Sequence, residues 1–348
     1  MRGQARASVH ESGPPRPSRR VFTYIDLFAG IGGFHQAGDA LGGRCVFASE
    51  IDAEARRAYA ANYGLEPRGD VTVIDAEEIP DHDVLFAGFP CQPFSIIGNR
   101  LGFDDARGTL FFEIARILRA KRPRFFILEN VKQLSGHDKG RTLEVIVAVL
   151  EEIGYKTRWA VLNALDFGLA QKRERTVIVG FLDHGVDFSF PRPVGPGSLE
   201  DVLEPEGSVD GRFFASPRIV GKRLEKHRSE HFPAIWHENK SGHVASYPFS
   251  CALRAGASYN YLLVNGERRL TPREMLRLQG FPDAFKIVCS DSQTRKQAGN
   301  AVPVNVIKAV LEAALHAEGK IVGQSGQSGR QSGQSGQSGR ESERQSVQ

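Results

Sequence analysis

Cysteine is scarce in this 348-residue chain, and Cys45, Cys91, Cys251 and Cys289 are scattered with no C-x-x-C pair. That spacing excludes a disulfide framework and a zinc site of the usual kind, so no metal is expected. Any thiol chemistry has to come from one cysteine acting alone. Long apolar runs are missing too, so no segment reads as a membrane span, and the amino end carries no secretory signal. A cytoplasmic setting without a membrane partner is the expectation. Neither sign of charge dominates: 45 Lys and Arg against 41 Asp and Glu leave +4 and a pI near 8.9. Such a balance permits a nucleic-acid partner without requiring one.

Both ends lack apolar periodicity. Residues 1–20 are rich in Arg, Pro, Ser and Gly, and residues 323–348 repeat Gln-Ser-Gly with Arg330 and Arg340 interspersed. Such composition cannot bury a core, so a disordered basic arm and a disordered tail are expected. Between them, strand and helix patterns alternate. Strands are predicted at Val21–Phe28, Arg44–Glu50, Asp83–Ala87, Arg124–Glu129 and Thr176–Phe181. Helices are predicted over Asp52–Tyr63, around Phe111, Ile114, Ala115 and Leu118, and over Thr142–Ile153, with Gly154 as its stop. This alternation argues for a doubly wound α/β sheet. From Pro191 to about Gly266 the rhythm breaks: Arg212–Lys240 holds seven Lys or Arg against three acids, with aromatics between. A separate, less regular domain is expected there. Helical patterning returns at Pro272–Gln279 and Val304–Leu315, the latter able to pack back onto the first domain.

Four clusters carry chemistry. Asp26-Leu27-Phe28-Ala29-Gly30-Ile31-Gly32-Gly33 follows a strand and opens a helix, where glycines let backbone approach a ligand. Glu50 ends the next strand, placed to accept ribose hydroxyls, and Asp70 follows, able to accept from an adenine amine. A tight turn with solvated acids is the bland alternative; the turn plus two acids favours an adenosyl cofactor, and the spacing departs from the dinucleotide fingerprint. The second cluster, Gly88-Phe89-Pro90-Cys91-Gln92-Pro93-Phe94-Ser95, puts a cysteine between prolines beyond a strand end. The stretch Ile96–Thr109 after it reads as a mobile lid with Arg100 and Arg107. The third, Glu129-Asn130-Val131, ends an apolar strand with a carboxylate that is costly to bury without a partner. In the fourth, Gln171, Arg173 and Arg175 share one face of an extended segment, three donors aimed at one site.

Together and in this order, these motifs resemble the cytosine-5 DNA methyltransferases. Arg269-Leu270-Thr271-Pro272-Arg273-Glu274 and Gln297-Ala298-Gly299-Asn300-Ala301-Val302-Pro303 extend the match to roughly Tyr24–Ala314. The resemblance implies a Rossmann-like S-adenosylmethionine-dependent methyltransferase sheet with a smaller, irregular target-recognition domain. It divides the chain into a catalytic domain at 21–186, a target-recognition domain at 187–288 and a catalytic return at 289–322. It implies Cys91 as covalent nucleophile, assisted by Glu129, Arg173, Arg175 and Gln171. S-adenosylmethionine would be held by Phe28, Gly30, Gly32, Glu50, Ile51, Asp70, Pro90, Asn300 and Val302. Double-stranded DNA would meet Ser95, Arg107 and Arg254, with the target base flipped out of the helix. Kinship with bacterial restriction-modification enzymes further implies a monomer at the nucleoid, accompanied by an endonuclease acting on the same site. Two departures stand out: Ala252-Leu253 replaces the family's frequent Thr-Leu, and Ile97 precedes Gly98 where relatives carry a smaller residue. Related chemistry on transfer RNA, or a silent DNA-binding homologue, would share this fold.

Overall fold

The computed structural model describes residues 22–90 and 110–319. Cys91, Ser95, Arg107, the Ile96–Thr109 lid, the 1–20 arm and the 323–348 tail lie outside the described residues. Strands β1 (Thr23–Leu27), β2 (Arg44–Ser49), β3 (Val84–Gly88) and β4 (Phe125–Val131) form the parallel part of a six-stranded sheet. Two further strands, β5 (Lys156–Asn163) and β7 (Glu174–Phe181), complete it in the order β2-β1-β3-β4-β7-β5. Both pairings that β7 makes are antiparallel. Helices α1 (Gly33–Ala40), α2 (Ala53–Tyr63), α3 (Leu110–Lys121) and α4 (Arg141–Glu152) alternate with these strands.

Because side chains alternate along a strand, each central strand feeds two cores. Tyr24, Phe86, Ile127 and Val179 face one way, onto Phe34 of α1 and onto Val306, Ile307 and Val310 of α8 (Val304–Ala317). Ile25, Leu85, Phe126 and Ile178 face the other way, onto Ile114 and Leu118 of α3 and Ile146 and Leu150 of α4. The sheet is thus covered on both sides, as buried parallel strands require. The last helix returns to the first part of the fold because its Val306, Ile307, Val310, Leu311 and Ala314 stripe is fully buried there.

The basic stretch contains more regular structure than its composition suggests. A short parallel pair joins β6 (Gln171–Lys172) to β10 (Ser250–Cys251), and β8 (Ile235–Glu238) lies between β11 (Leu262–Val264) and β9 (Val244–Tyr247). Helix α5 (Pro217–Lys226) packs on this small sheet through Arg223, which is buried and reaches Glu238 at 3.2 Å. Ile235, Leu262 and Val264 join the same apolar core as Tyr24 and Phe86, so burial continues across the fold.

Helix α6 (Pro272–Leu278) starts with a capping box: the Thr271 hydroxyl accepts from the Glu274 amide, and Glu274 accepts from the Thr271 amide. The fully buried Glu274 carboxylate also takes a two-pronged ion pair from Arg268, at 2.8 and 2.9 Å, and the Glu204 amide at 2.9 Å. Glu274→Ala strands a buried guanidinium and two amides, so urea unfolding should show a loss of about 3–5 kcal/mol.

Candidate active site

The C-terminal ends of β1, β2, β3 and β4 open on one cavity of about 400 Å³. Its first wall is the turn after β1. Phe28 and Gly30 both adopt φ near 56°, and Gly32 adopts 84°. A Cβ on Gly32 would strike the Tyr63 ring, whose hydroxyl donates to the Gly32 and Ile31 carbonyls. Glycine at 32 is therefore required by Tyr63 packing under the turn, while Gly30 presents open space on the cavity side.

Glu50 supplies the second wall. One carboxylate oxygen accepts the Gly30 amide at 2.8 Å and the other accepts the Asp52 amide at 2.8 Å. Each oxygen keeps a lone pair for a ligand hydroxyl. Beside it, Ile51 is 69% exposed, an apolar side chain on the cavity wall. Asp52 caps α2 by accepting the Glu54 and Ala55 amides, and pairs with Lys296 at 2.6 Å across the rim. These groups fit an adenosyl ligand: an open left-handed glycine turn, a carboxylate fixed for a diol, and an apolar face for a ring. Behind the turn, Asp26 is fully buried. Burial, with the charge of Glu50 adding to it, raises its pKa well above the usual carboxylate range.

The far wall holds the polar chemistry. Glu129, next to Gly88 across β3 and β4, is buried and accepts from Arg175 Nε at 2.7 Å. Burial raises its pKa, while Arg175 and then Arg173 pull the other way without cancelling it. Asn130 donates to the Phe89 carbonyl at 2.9 Å and so fixes the strand end that leads into Pro90. Pro90 and Asn300 also line the cavity.

Arg173 and Gln171 depart from the expectation of three donors serving one site. Arg173 is 1% exposed and donates to the carbonyls of Leu253 (2.9 Å), Gly299 (3.0 Å) and Ala301 (2.8 Å). These bonds tie Nη1 and Nη2 to backbone, while Nε has no partner among the described residues and the side chain still lines the cavity. Gln171 lies outside the cavity, donating to the Leu278 carbonyl and accepting the Leu253 amide. With both ends of its amide bonded to backbone, Gln171 braces these segments in this structure. Arg175 spends Nε on Glu129 and Nη1 on the Glu174 carbonyl, which leaves Nη2 without a bond among the described residues.

Three residues assigned to the cofactor do not line the cavity. Asp70 caps a short turn by accepting the Thr72 amide at 2.9 Å; Gly32 serves Tyr63; Val302 fills the space over Gly33 and Gly88. Conversely, Lys296 stands on the rim beside Asp52 without having been singled out. Lys296 belongs to α7 (Asp291–Asn300), whose sequence DSQTRKQAGN has no apolar stripe to reveal it as a helix. Arg254 is exposed at the edge of a neighbouring crevice with Tyr259 and Tyr261. Among the described residues no cluster of His, Cys, Asp or Glu is placed to hold a metal, and no helix is long and apolar enough to cross a membrane.

Comparison with known proteins agrees with this geometry. Residues 22–316 match the family described as C-5 cytosine-specific DNA methylase. The chain is 54% identical over 291 residues to the Type II methyltransferase M.NgoBI of Neisseria gonorrhoeae, covering 83% of this chain and 92% of that protein. It is 53% identical over 300 residues to the Type II methyltransferase M.HaeII of Haemophilus aegyptius, covering 86% and 94%. Among solved structures, S. pombe Dnmt2 methyltransferase superposes with a TM-score of 0.65 at 20% identity, covering 86% of this chain and 99% of that one. A putative prophage-encoded DNA modification methyltransferase from E. coli gives 0.65 at 22%, covering 85% and 99%. At such identities these two show the fold, a methyltransferase sheet of mixed α/β type. The sequence relatives carry the assignment further: this chain belongs to the C-5 cytosine-specific DNA methylases, enzymes that take their methyl group from S-adenosylmethionine.

Proposed function

We propose that the chain methylates carbon 5 of a cytosine extruded from a specific duplex DNA sequence, through a covalent Cys91 adduct, as the modification half of a restriction-modification pair. The observation that carries this reading is the meeting, in one cavity, of the Gly30–Glu50 cradle with the buried Glu129–Arg175 pair. Its relatives' description as Type II methyltransferases supports the restriction-modification role and a companion endonuclease. A monomer at the nucleoid fits an enzyme whose substrate is the chromosome.

S-adenosylmethionine supplies an electrophilic methyl group; Glu50, Ile51, Phe28, Gly30, Pro90 and Asn300 are the residues proposed to hold it. Carbon 5 of cytosine is a weak nucleophile, so the ring needs activation. The Cys91 thiolate adds to carbon 6, and the displaced electron pair moves onto the ring. Glu129 accepts from the exocyclic amine and, protonated, donates to the ring nitrogen, which stabilises that charge. Burial raises the Glu129 pKa and so favours the protonated form that donates this proton. Arg175 orients the carboxyl and offers Nη2 to the ring carbonyl. Arg173 acts at one remove, holding the walls together and lending positive potential. Carbon 5 then takes the methyl group, with S-adenosylhomocysteine as the leaving thioether. Solvent takes the carbon 5 proton, the freed electron pair re-forms the double bond, the Cys91 thiolate leaves, and the ring nitrogen returns its proton to Glu129. A stacked base cannot enter this cavity, so extrusion, at a cost of a few kcal/mol, precedes the chemistry. Residues 187–288 are proposed to read the flanking sequence, with 21–186 and 289–322 forming the catalytic part.

Duplexes carrying 5-fluorocytosine, incubated with S-adenosylmethionine, should trap an adduct that survives denaturation, because fluorine cannot leave as a proton does. A wild-type protein that methylates ordinary DNA yet forms no adduct would remove Cys91 from the mechanism. Glu129→Gln should keep cofactor binding, read by calorimetry, and lose about a hundred- to ten-thousand-fold in single-turnover rate. The wild-type rate should also fall as pH rises through the raised Glu129 pKa, since the carboxyl then loses the proton it donates; the Gln variant should lack this descending limb. Tritium transfer to duplex DNA but not to transfer RNA is expected in parallel labelling.

A further inference from the structure

Arg254 has no part in the chemistry above, yet it is an exposed cation held in place at the edge of the crevice next to the cavity. Its guanidinium carbon sits 4.9 Å over the ring of the buried Tyr261. The Tyr261 hydroxyl accepts the Arg254 backbone amide at 3.0 Å and donates to the Ala252 carbonyl. On either side the chain is fixed as well. The Leu253 carbonyl takes Arg173 Nη1, and Ala255 presses so closely on Gly299 that no Cβ fits there. The Arg254 guanidinium itself makes no hydrogen bond or ion pair among the described residues. His237, edge-on to Tyr261 at 6.3 Å, shares this surface.

A phosphate contact asks only for charge and reach, which a flexible lysine also supplies. Placement over an aromatic face does something different: it restrains where the guanidinium sits while its N–H groups stay free to donate. A planar fork so restrained matches the paired acceptors O6 and N7 that guanine shows in the major groove. Position decides the rest, because residue 254 adjoins the segment that closes the cavity, where DNA with an extruded cytosine must lie. We propose that Arg254, oriented by Tyr261, reads one guanine in the DNA sequence that this enzyme methylates. This rests on the reading that duplex DNA binds across the cavity with its target cytosine flipped out.

The test uses the full chain as wild type, Arg254→Lys, Arg254→Ala and Tyr261→Phe. Each methylates a pool of duplexes randomised around cytosine, and the methylated products are sequenced. The wild type should require guanine at one position that the two Arg254 variants relax by about five- to 150-fold, the discrimination a bidentate pair supplies. Preferences elsewhere in the site should stay. Arg254→Lys keeps the charge, so the salt dependence of its binding should match the wild type. Tyr261→Phe keeps the ring but frees the residue 254 amide, and should relax the same position to a smaller degree. Unchanged base preference in Arg254→Lys, or a uniform loss over all sequences in Arg254→Ala, would make Arg254 a phosphate contact and overturn the proposal. A wild type that methylates no duplex at all would instead overturn the functional reading, and this assignment with it.

Discussion

One buried guanidinium holds the site together. Arg173 leaves the strand that borders Glu129 and donates to carbonyls of Leu253, Gly299 and Ala301. Those acceptors belong to two segments distant in sequence, one in the basic region and one in the C-terminal return. A buried guanidinium is stabilised by hydrogen-bond acceptors, and the two segments present carbonyl oxygens to Nη1 and Nη2 together. Its charge also lies near Glu129, where it lowers the carboxyl's pKa along with Arg175. Gln171 repeats the device two residues earlier, tying Leu253 to the end of α6. The walls of the cavity are thus tied together by side chains bonded to backbone of distant segments.

The two halves of the cavity differ in how they handle charge. On the cofactor side, Glu50 is fixed by two backbone amides, one on each carboxylate oxygen, and each oxygen keeps acceptor capacity. On the base side, Glu129 is buried among apolar strand residues, and that burial outweighs the pull of two arginines. One carboxylate keeps acceptor capacity towards the cavity, and the other is biased towards its protonated form. Environment, not residue type, separates them.

The sheet and the helices that cover it were legible because buried strands and amphipathic helices leave periodic apolar patterns. Phe125–Leu128 and the Val306, Ile307, Val310, Leu311 stripe are unambiguous on that ground. Strand β5 was not: as an edge strand it exposes Arg158, Trp159 and Val161, so its pattern does not alternate cleanly. Helix α7 was hidden for a similar reason, since it is held by Arg295 over Tyr259 at 4.3 Å, by Lys296 on Asp52 and by the close contact at Gly299. The antiparallel sense of β7 also has no local signature, because strand direction follows from the path of the chain between strands.

By itself the sequence determined which residue types stand at the strand ends, and the order of its motifs was enough to place the chain in its family. Glycines, acids and arginines at those positions are local facts. Only the tertiary structure decided their division of labour: Glu129 with Arg175 in the cavity, Arg173 and Gln171 consumed by backbone, Asp70 turned to a cap, and Arg254 mounted on Tyr261. Each of those outcomes depends on which carbonyl, amide or ring arrives from a distant segment. Hydrogen-bond donors bind whatever acceptor burial brings to them, and that neighbour is not written beside them in the chain.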